Sequence, residues 1–261
     1  MKKCFLAIWA MAVSGAYAIP CPTPTQHPEG AEVYPTCGNL GVFQKGGKYG
    51  FFDTQSGEVL AEAQFDEVKD RHVAAGVTPV RQKEKWAYVN SKGEAQTPYQ
   101  YDYAEHFWYG PLAIARINGR YGMINGRFAA VVPFAYERMG KFLRPEGGEG
   151  YLAVACKDGQ CGYLNDKGET AIALQYDDAT AFAAAVTAVK KGDKWGYINA
   201  QGDIVQPFVY DKAEPFSLNW LGDRDVPCVA AERDGKRVVI DPQGKILPED
   251  TQCPPLPPPP P

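Results

Sequence analysis

Six segments of this chain are copies of one another: GKYGFFD from Gly47, EKWAYVN from Glu84, GRYGMIN from Gly119, GQCGYLN from Gly159, DKWGYIN from Asp193 and GKRVVID from Gly235. Their third positions, Tyr49, Trp86, Tyr121, Cys161, Trp195 and Arg237, are spaced 37, 35, 40, 34 and 42 residues apart. A period in this range restricts the chain to a repeat architecture. Each unit is one supersecondary motif that cannot bury its apolar face alone and must share a core with its neighbours.

More than the core segment recurs. Each copy runs through Asp53, Asn90, Asn125, Asn165, Asn199 or Asp241 into a turn that holds Gly57, Gly93, Gly168, Gly202 or Gly244, with Phe128 in the third copy. Five copies then reach an aromatic-acid pair: Phe65-Asp66, Tyr101-Asp102, Tyr136-Glu137, Tyr176-Asp177 and Tyr210-Asp211. In four of these a phenylalanine follows, at Phe107, Phe142, Phe182 and Phe216; the sixth copy stops before this half.

The local pattern is strand and turn. In Trp195–Asn199 the side chains of Trp195, Tyr197 and Asn199 fall on one face and Ile198 on the other, the two-residue period of a strand. Val186–Val189 upstream forms the first arm of a hairpin whose turn has Gly192 available for a positive φ. Pro98, Pro133 and Pro207 lack a donor and are read as marking the frayed end of an outer strand. The glycine in the second core position is read as bare backbone against which a neighbour's aromatic ring lies. Each copy is thus an antiparallel meander of about three strands.

Lys194-Trp195-Gly196-Tyr197-Ile198-Asn199, followed by Gly202, Pro207, Tyr210-Asp211, Ala213 and Phe216, resembles the pattern of bacterial WG-repeat proteins, also called KWG-repeat proteins. Cys161 and Arg237 depart from it where the aromatic stands, and Phe128 where the turn glycine stands. The resemblance implies a β-rich interaction module of exported or surface proteins, and it brings no catalytic residues. The expected fold is all-β, six antiparallel meander repeats of ~35–42 residues, arranged as a closed propeller-like ring, with an open β-solenoid as the alternative. Closure removes exposed sheet edges, and Val33-Tyr34-Pro35 is placed to substitute for the missing half beside the first unit.

The ends differ from the array. Residues 1–18 carry Lys2 and Lys3, an apolar run from Cys4 to Val13 and small residues up to Ala18, the layout of a cleaved secretory signal peptide. Its apolar run is too short to span a bilayer, so no stable membrane insertion is expected. Residues 19–39 form an N-terminal extension, 40–247 the repeat domain and 248–261 a tail rich in cysteine and proline. Losing Lys2 and Lys3 takes the net charge from -4 to -6, and losing Cys4 takes the cysteine count from 7 to 6. An acidic chain lacks the basic field that nucleic acid requires. The even cysteine count in an exported protein points to disulfides, with pairs expected at Cys156–Cys161, Cys21–Cys37 and Cys228–Cys253.

Catalytic chemistry finds little footing. The only serines beyond the leader are Ser56, Ser91 and Ser217, and none has a positioned histidine among His27, His72 and His106. No metal or cofactor is expected, because Cys156 and Cys161 have no second ligand pair close in sequence. The repeated acids recur at one structural position, so each is expected to bond its own turn backbone and not to form an acid–base pair. Binding is expected where copies depart from the repeat length, at 106–111, 143–150 and 217–224. The residue types that commonly anchor partners there are His106, Phe107, Trp108, Tyr109, Arg144, Trp220 and Arg224. The expected partner is a protein or peptide. The alternative is a glycan, with Trp108, Tyr109 and Trp220 stacking on sugar rings.

Overall fold

The computed structural model describes residues 23–34, 38–69, 76–107, 111–216 and 228–253. The expected signal peptide, Cys21, Cys37, Trp108, Tyr109, Trp220, Arg224 and the proline run lie outside these residues. Among the described residues there are strands and no helix. Five sheets have four strands and one has three, each in sequential order. The first contains β1 (Glu32–Val33), β2 (Leu40–Lys45), β3 (Lys48–Asp53) and β4 (Val59–Phe65), and the second β5 (Glu67–Val68), β6 (Val77–Gln82) and β7 (Lys85–Asn90). The third contains β8 (Tyr103–Ala104), β9 (Leu112–Ile117), β10 (Arg120–Asn125) and β11 (Ala130–Tyr136). The fourth contains β12 (Arg138–Met139), β13 (Leu152–Lys157), β14 (Gln160–Asn165) and β15 (Thr170–Tyr176). The fifth contains β16 (Asp178–Ala179), β17 (Val186–Lys191), β18 (Lys194–Asn199) and β19 (Ile204–Tyr210). The sixth contains β20 (Lys212–Ala213), β21 (Val229–Arg233), β22 (Lys236–Ile240) and β23 (Ile246–Leu247).

Every sheet therefore opens with a two-residue strand, and from the second sheet onward that strand follows the aromatic-acid pair of the preceding copy. The first sheet has no preceding copy, and Glu32–Val33 fills the position, Glu32 opposite Gln44 and Val33 opposite Phe43. The chain divides into two compact units, Met1–Thr78 with Val89–Glu94, and Pro79–Tyr88 with Ala95–Pro261.

Within the second unit, consecutive sheets share cores. Leu112, Ile114 and Met123 of the third sheet pack with Ala153, Ala155 and Leu164 of the fourth. Cys161, Tyr163 and Ile172 of the fourth pack with Phe182, Val189 and Ile198 of the fifth. Tyr197 and Tyr210 of the fifth pack with Val229, Ala231 and Ile240 of the sixth. A strand such as β18 thus buries both faces, Tyr197 toward one neighbour and Ile198 toward the other.

The second core position shows why glycine recurs there. Gly50, Gly122, Gly162 and Gly196 each sit at a shift of register between the core strand and the outer strand. A Cβ on them would lie 2.5–2.8 Å from a backbone carbonyl oxygen of that outer strand: Ala61, Val132, Ala173 and Gln206. The expected aromatic ring also lies against the glycine in three copies, Phe43 at Gly50, Phe134 at Gly122 and Phe208 at Gly196, while at Gly162 the nearest atoms are all backbone. The exceptions follow. Beside Ala87 the outer segment shrinks to the isolated bridge Trp86↔Tyr101, and the N–H of Tyr88 donates to Thr97 Oγ1. Beside Val238, β23 pairs only with Val239 and Ile240.

The prolines also differ from expectation. Pro133 and Pro207 lie in the middle of β11 and β19, not at a frayed end. These strands are the last in their sheets, so one side has no ladder and a missing donor costs nothing.

Candidate interaction site

Three regions were expected to carry binding, and the structure describes one of them in full. Leu143 and Leu152 pair across a bridge, Leu143 N–H to Leu152 O at 3.0 Å and Leu152 N–H to Leu143 O at 2.8 Å. The enclosed segment folds on itself: Gly148 N–H donates to Pro145 O, Glu146 N–H to Ala184 O, and Arg144 Nε to Gly148 O at 3.5 Å. Pro145 is buried, whereas Arg144 and Glu149 are exposed. Beside the loop lies a cleft of about 600 Å³. Glu149 and Tyr151 line it from the loop, Asn165, Asp166 and Lys167 from the turn of the fourth copy, and Gln201 from the turn of the fifth. Those turn residues were read in the sequence as structural punctuation; the pairing of two successive turns beside a long loop was not visible there.

His106 and Phe107 are placed differently from the expectation. His106 is only 6% exposed. Phe107 is half-buried, with its ring centroid 5.6 Å from that of Tyr88 and 6.4 Å from that of Phe128. His106 is therefore buried, and Phe107 belongs to the aromatic packing around Tyr88 of its own copy. Phe128 holds φ +62 in the slot where other copies have glycine, and its ring closes the same aromatic group.

The turns flanking the cleft are fixed by their first residue. Asn165 Oδ1 accepts the N–H groups of Lys167 and Glu169, and Asn199 Oδ1 those of Gln201 and Asp203, all within 2.8–3.0 Å. The same arrangement recurs at Asn90, Asn125 and Asp241. It aims the backbone into a left-handed glycine, Gly168 at φ +82 and Gly202 at φ +88. Gly168 rests on Val132, and Gly202 on Ile172, of the preceding outer strand.

The repeated acids do not bond their own turns; this expectation is corrected. Asp66, Asp102, Glu137 and Asp211 pair with Lys48, Lys85, Arg120 and Lys194, the basic residue one position before the core aromatic of the same copy. The second oxygen of three acids reaches onward to the next hairpin: Asp102 to Gly119 N–H, Asp177 to Gly192 N–H and Asp211 to Asp234 N–H. The Lys85 ammonium and then the Gly119 N–H hold the Asp102 carboxyl below its usual value. Three buried tyrosines make a second repeated tie. Tyr88, Tyr163 and Tyr197 donate their hydroxyls to the carbonyls of Glu105, Thr180 and Glu214. Burial pushes all three phenols well above their ordinary range.

The model of the WG-containing repeat matches residues 49–86, 86–121, 162–195 and 195–220, about half of the chain. This chain is a WG-repeat protein. No curated protein matches its sequence. Among solved structures, a eukaryotic initiation factor is similar at 14% identity and TM-score 0.42, over 92% of this chain and 68% of that one. Kluyveromyces lactis Hsv2 is similar at 10% identity and TM-score 0.40, over 78% and 70%. Scores this low carry no argument about arrangement or role.

Two of the expected disulfides of this WG-repeat protein are present, Cys156–Cys161 and Cys228–Cys253; Cys21 and Cys37 lie outside the described residues. In the fourth WG repeat the pair replaces an aromatic. Cys161 stands opposite Cys156 across the hairpin and opposite Tyr176 on the other side, as Trp195 stands opposite Lys190 and Tyr210 in the fifth. The two disulfides are compatible with an exported protein, and among the described residues no helix is long and apolar enough to cross a membrane.

Proposed function

We propose that this WG-repeat protein is an exported, non-enzymatic interaction module that binds a protein or peptide partner through loops on one side of the array. The observation that carries the reading is the Leu143–Leu152 loop: its neck is paired backbone, and a cleft of about 600 Å³ lies between it and two Asn-anchored turns. Loops set on a rigid scaffold are where binding residues concentrate. The repeated carboxylates support a non-enzymatic role, since four of the five, Asp66, Asp102, Glu137 and Asp211, are each paired with a lysine or arginine of their own copy and not with a second acid as a general acid faces a base. For the six repeats together the closed ring is the proposed arrangement, supported by the way each sheet takes its first strand from the copy before it. Scattering from the purified protein distinguishes a ring from an extended array by radius of gyration.

The test of binding is affinity capture from an envelope extract. The intact protein is compared with a Glu149→Arg, Lys167→Glu variant, both sites being exposed, and with a Trp108→Ala, Trp220→Ala variant. A partner retained by the intact protein and lost with either variant supports the reading; capture unchanged in both overturns it. A lectin-like role is the second reading. The cleft's side chains favour it, since Asn165, Asp166, Gln201 and Tyr151 offer the amide, carboxylate and hydroxyl groups that sugar hydroxyls bond. Binding to a glycan array that the first variant abolishes would select it.

A further inference from the structure

Arg138 lies over the Cys156–Cys161 disulfide. Its Nε is 3.2 Å from Cys156 Sγ and its Nη2 3.5 Å from Cys161 Sγ, while Nη2 also donates to Ala179 O and pairs with Asp178. A neutral disulfide sulfur is a weak acceptor, whereas a thiolate accepts a charge-assisted hydrogen bond about twice as strong as a neutral one. The guanidinium therefore interacts more strongly with the product of reduction than with the disulfide, and this difference moves the equilibrium toward the dithiol. The cysteines are 7% and 4% exposed, but the Arg138 side chain is 47% exposed. Rotation of this one side chain is a route by which an attacking thiolate reaches the sulfurs.

The hairpin does not depend on the bond. Six opposed pairs run from Leu152↔Asn165 to Lys157↔Gln160, and Asp158 and Gly159 take the two positive φ values of a tight turn. The equivalent hairpins β2–β3, β9–β10 and β17–β18 hold the same register with no cysteine at these positions. Reduction thus leaves the scaffold in place and presents a thiol and a thiolate beside an arginine.

We propose that Cys156–Cys161 is a thiol–disulfide exchange site that accepts two electrons from an external dithiol. A thiolate of the dithiol attacks one sulfur, forming a mixed disulfide and releasing the other cysteine as a thiolate held by Arg138. The second thiol of the donor, deprotonated, then attacks the mixed disulfide and leaves as an oxidised disulfide. The protein ends with one thiol and one thiolate held by Arg138; the donor has lost two electrons and two protons, of which one is taken up by the protein and one is released to solvent.

The test uses the full chain equilibrated with graded ratios of reduced to oxidised dithiothreitol, trapped by alkylation and mapped by peptide mass. Cys156–Cys161 is expected to be half-reduced at a ratio at least about tenfold lower than Cys228–Cys253 requires. Arg138→Gln is expected to raise the ratio for the first pair about tenfold or more and leave the second pair unchanged, and Arg138→Lys to restore most of the effect. Equal midpoints for the two pairs in the intact protein would overturn the proposal. So would an Arg138→Gln protein of native circular dichroism whose midpoints match those of the intact chain. Should Arg138→Gln fail to fold, the comparison of the two pairs in the intact chain decides.

Discussion

The carboxylate of Asp102 accepts the backbone N–H of Gly119 at 2.7 Å, so the end of one repeat is hydrogen-bonded to the hairpin turn of the next. Its other oxygen pairs with Lys85 of its own copy. One side chain thereby joins the meander that precedes it to the meander that follows, a connection that a row of independent turns would not have.

Replacing Asp102 with alanine removes this tie. The side chain is 18% exposed, which lessens screening by solvent, and the expected loss is about 1–2 kcal/mol in chemical denaturation. The same group predicts acid sensitivity. Its folded pKa is lowered, so its contribution is complete above the unfolded value of about 3.9 and is lost as pH falls through the lower folded value. Stability measured from pH 6 downward, over about four units, is expected to fall less steeply between the unfolded value and the lower folded one in Asp102→Ala than in the intact chain.

Tyr163 is fully buried and donates its hydroxyl to Thr180 O at 2.7 Å. Tyr163→Phe keeps the ring in place and removes one of the two donors to that carbonyl, the other being the Thr187 hydroxyl, at an expected cost of about 1 kcal/mol. Burial raises the phenol's folded pKa above the unfolded value of about 10. The contribution is therefore present below about pH 10 and is lost as pH rises toward the folded value. Absorbance titration is expected to show Tyr88, Tyr163 and Tyr197 ionising only with unfolding.

Gly162→Ala places a methyl group 2.5 Å from the carbonyl oxygens of Ile172 and Ala173, both backbone. The outer strand has to move, and a loss of about 1–3 kcal/mol is expected from thermal or urea unfolding. Ala87→Gly is the control. That position already carries a methyl group, and the expected cost is the smaller one of added backbone freedom, about 0.5–1 kcal/mol.

The disulfides are expected to differ in what they contribute. Cys156–Cys161 spans a separation of 5 residues and Cys228–Cys253 one of 25. Loop-closure entropy gives about 2 kcal/mol for the first and about 3–4 kcal/mol for the second. Paired alanine replacements followed by denaturant unfolding check the order; a larger loss at 156 and 161 would contradict it.

Much of the fold was legible because the period exposes it. Strand positions, turn residues and the place of β1 beside the first unit follow from alternation, from Asn and Gly spacing and from the missing sixth half. The hairpin disulfide was readable for the same reason: Cys161 stands in the slot of Trp195, and two residues on either side of a short turn face each other across it. The acids were misread because Asp102 and Asp177 act on residues 15–17 positions away, in the next hairpin, and nothing in the local pattern names that acceptor. The burial of His106 and the half-burial of Phe107 were not legible, because a polar or aromatic residue at the edge of a loop has the same composition whether it faces solvent or the packed interior.

The sequence by itself determined the repeat, its strand-and-turn grammar and the cysteines that face each other, since all of these depend on neighbours along the chain. Only the tertiary structure decided which acid meets which hairpin, that Arg138 covers the disulfide, and that Tyr151, Asp166 and Gln201 line one cleft. Those relationships arise where one meander stacks on the next, and residues brought together by stacking share no period that a single copy can reveal.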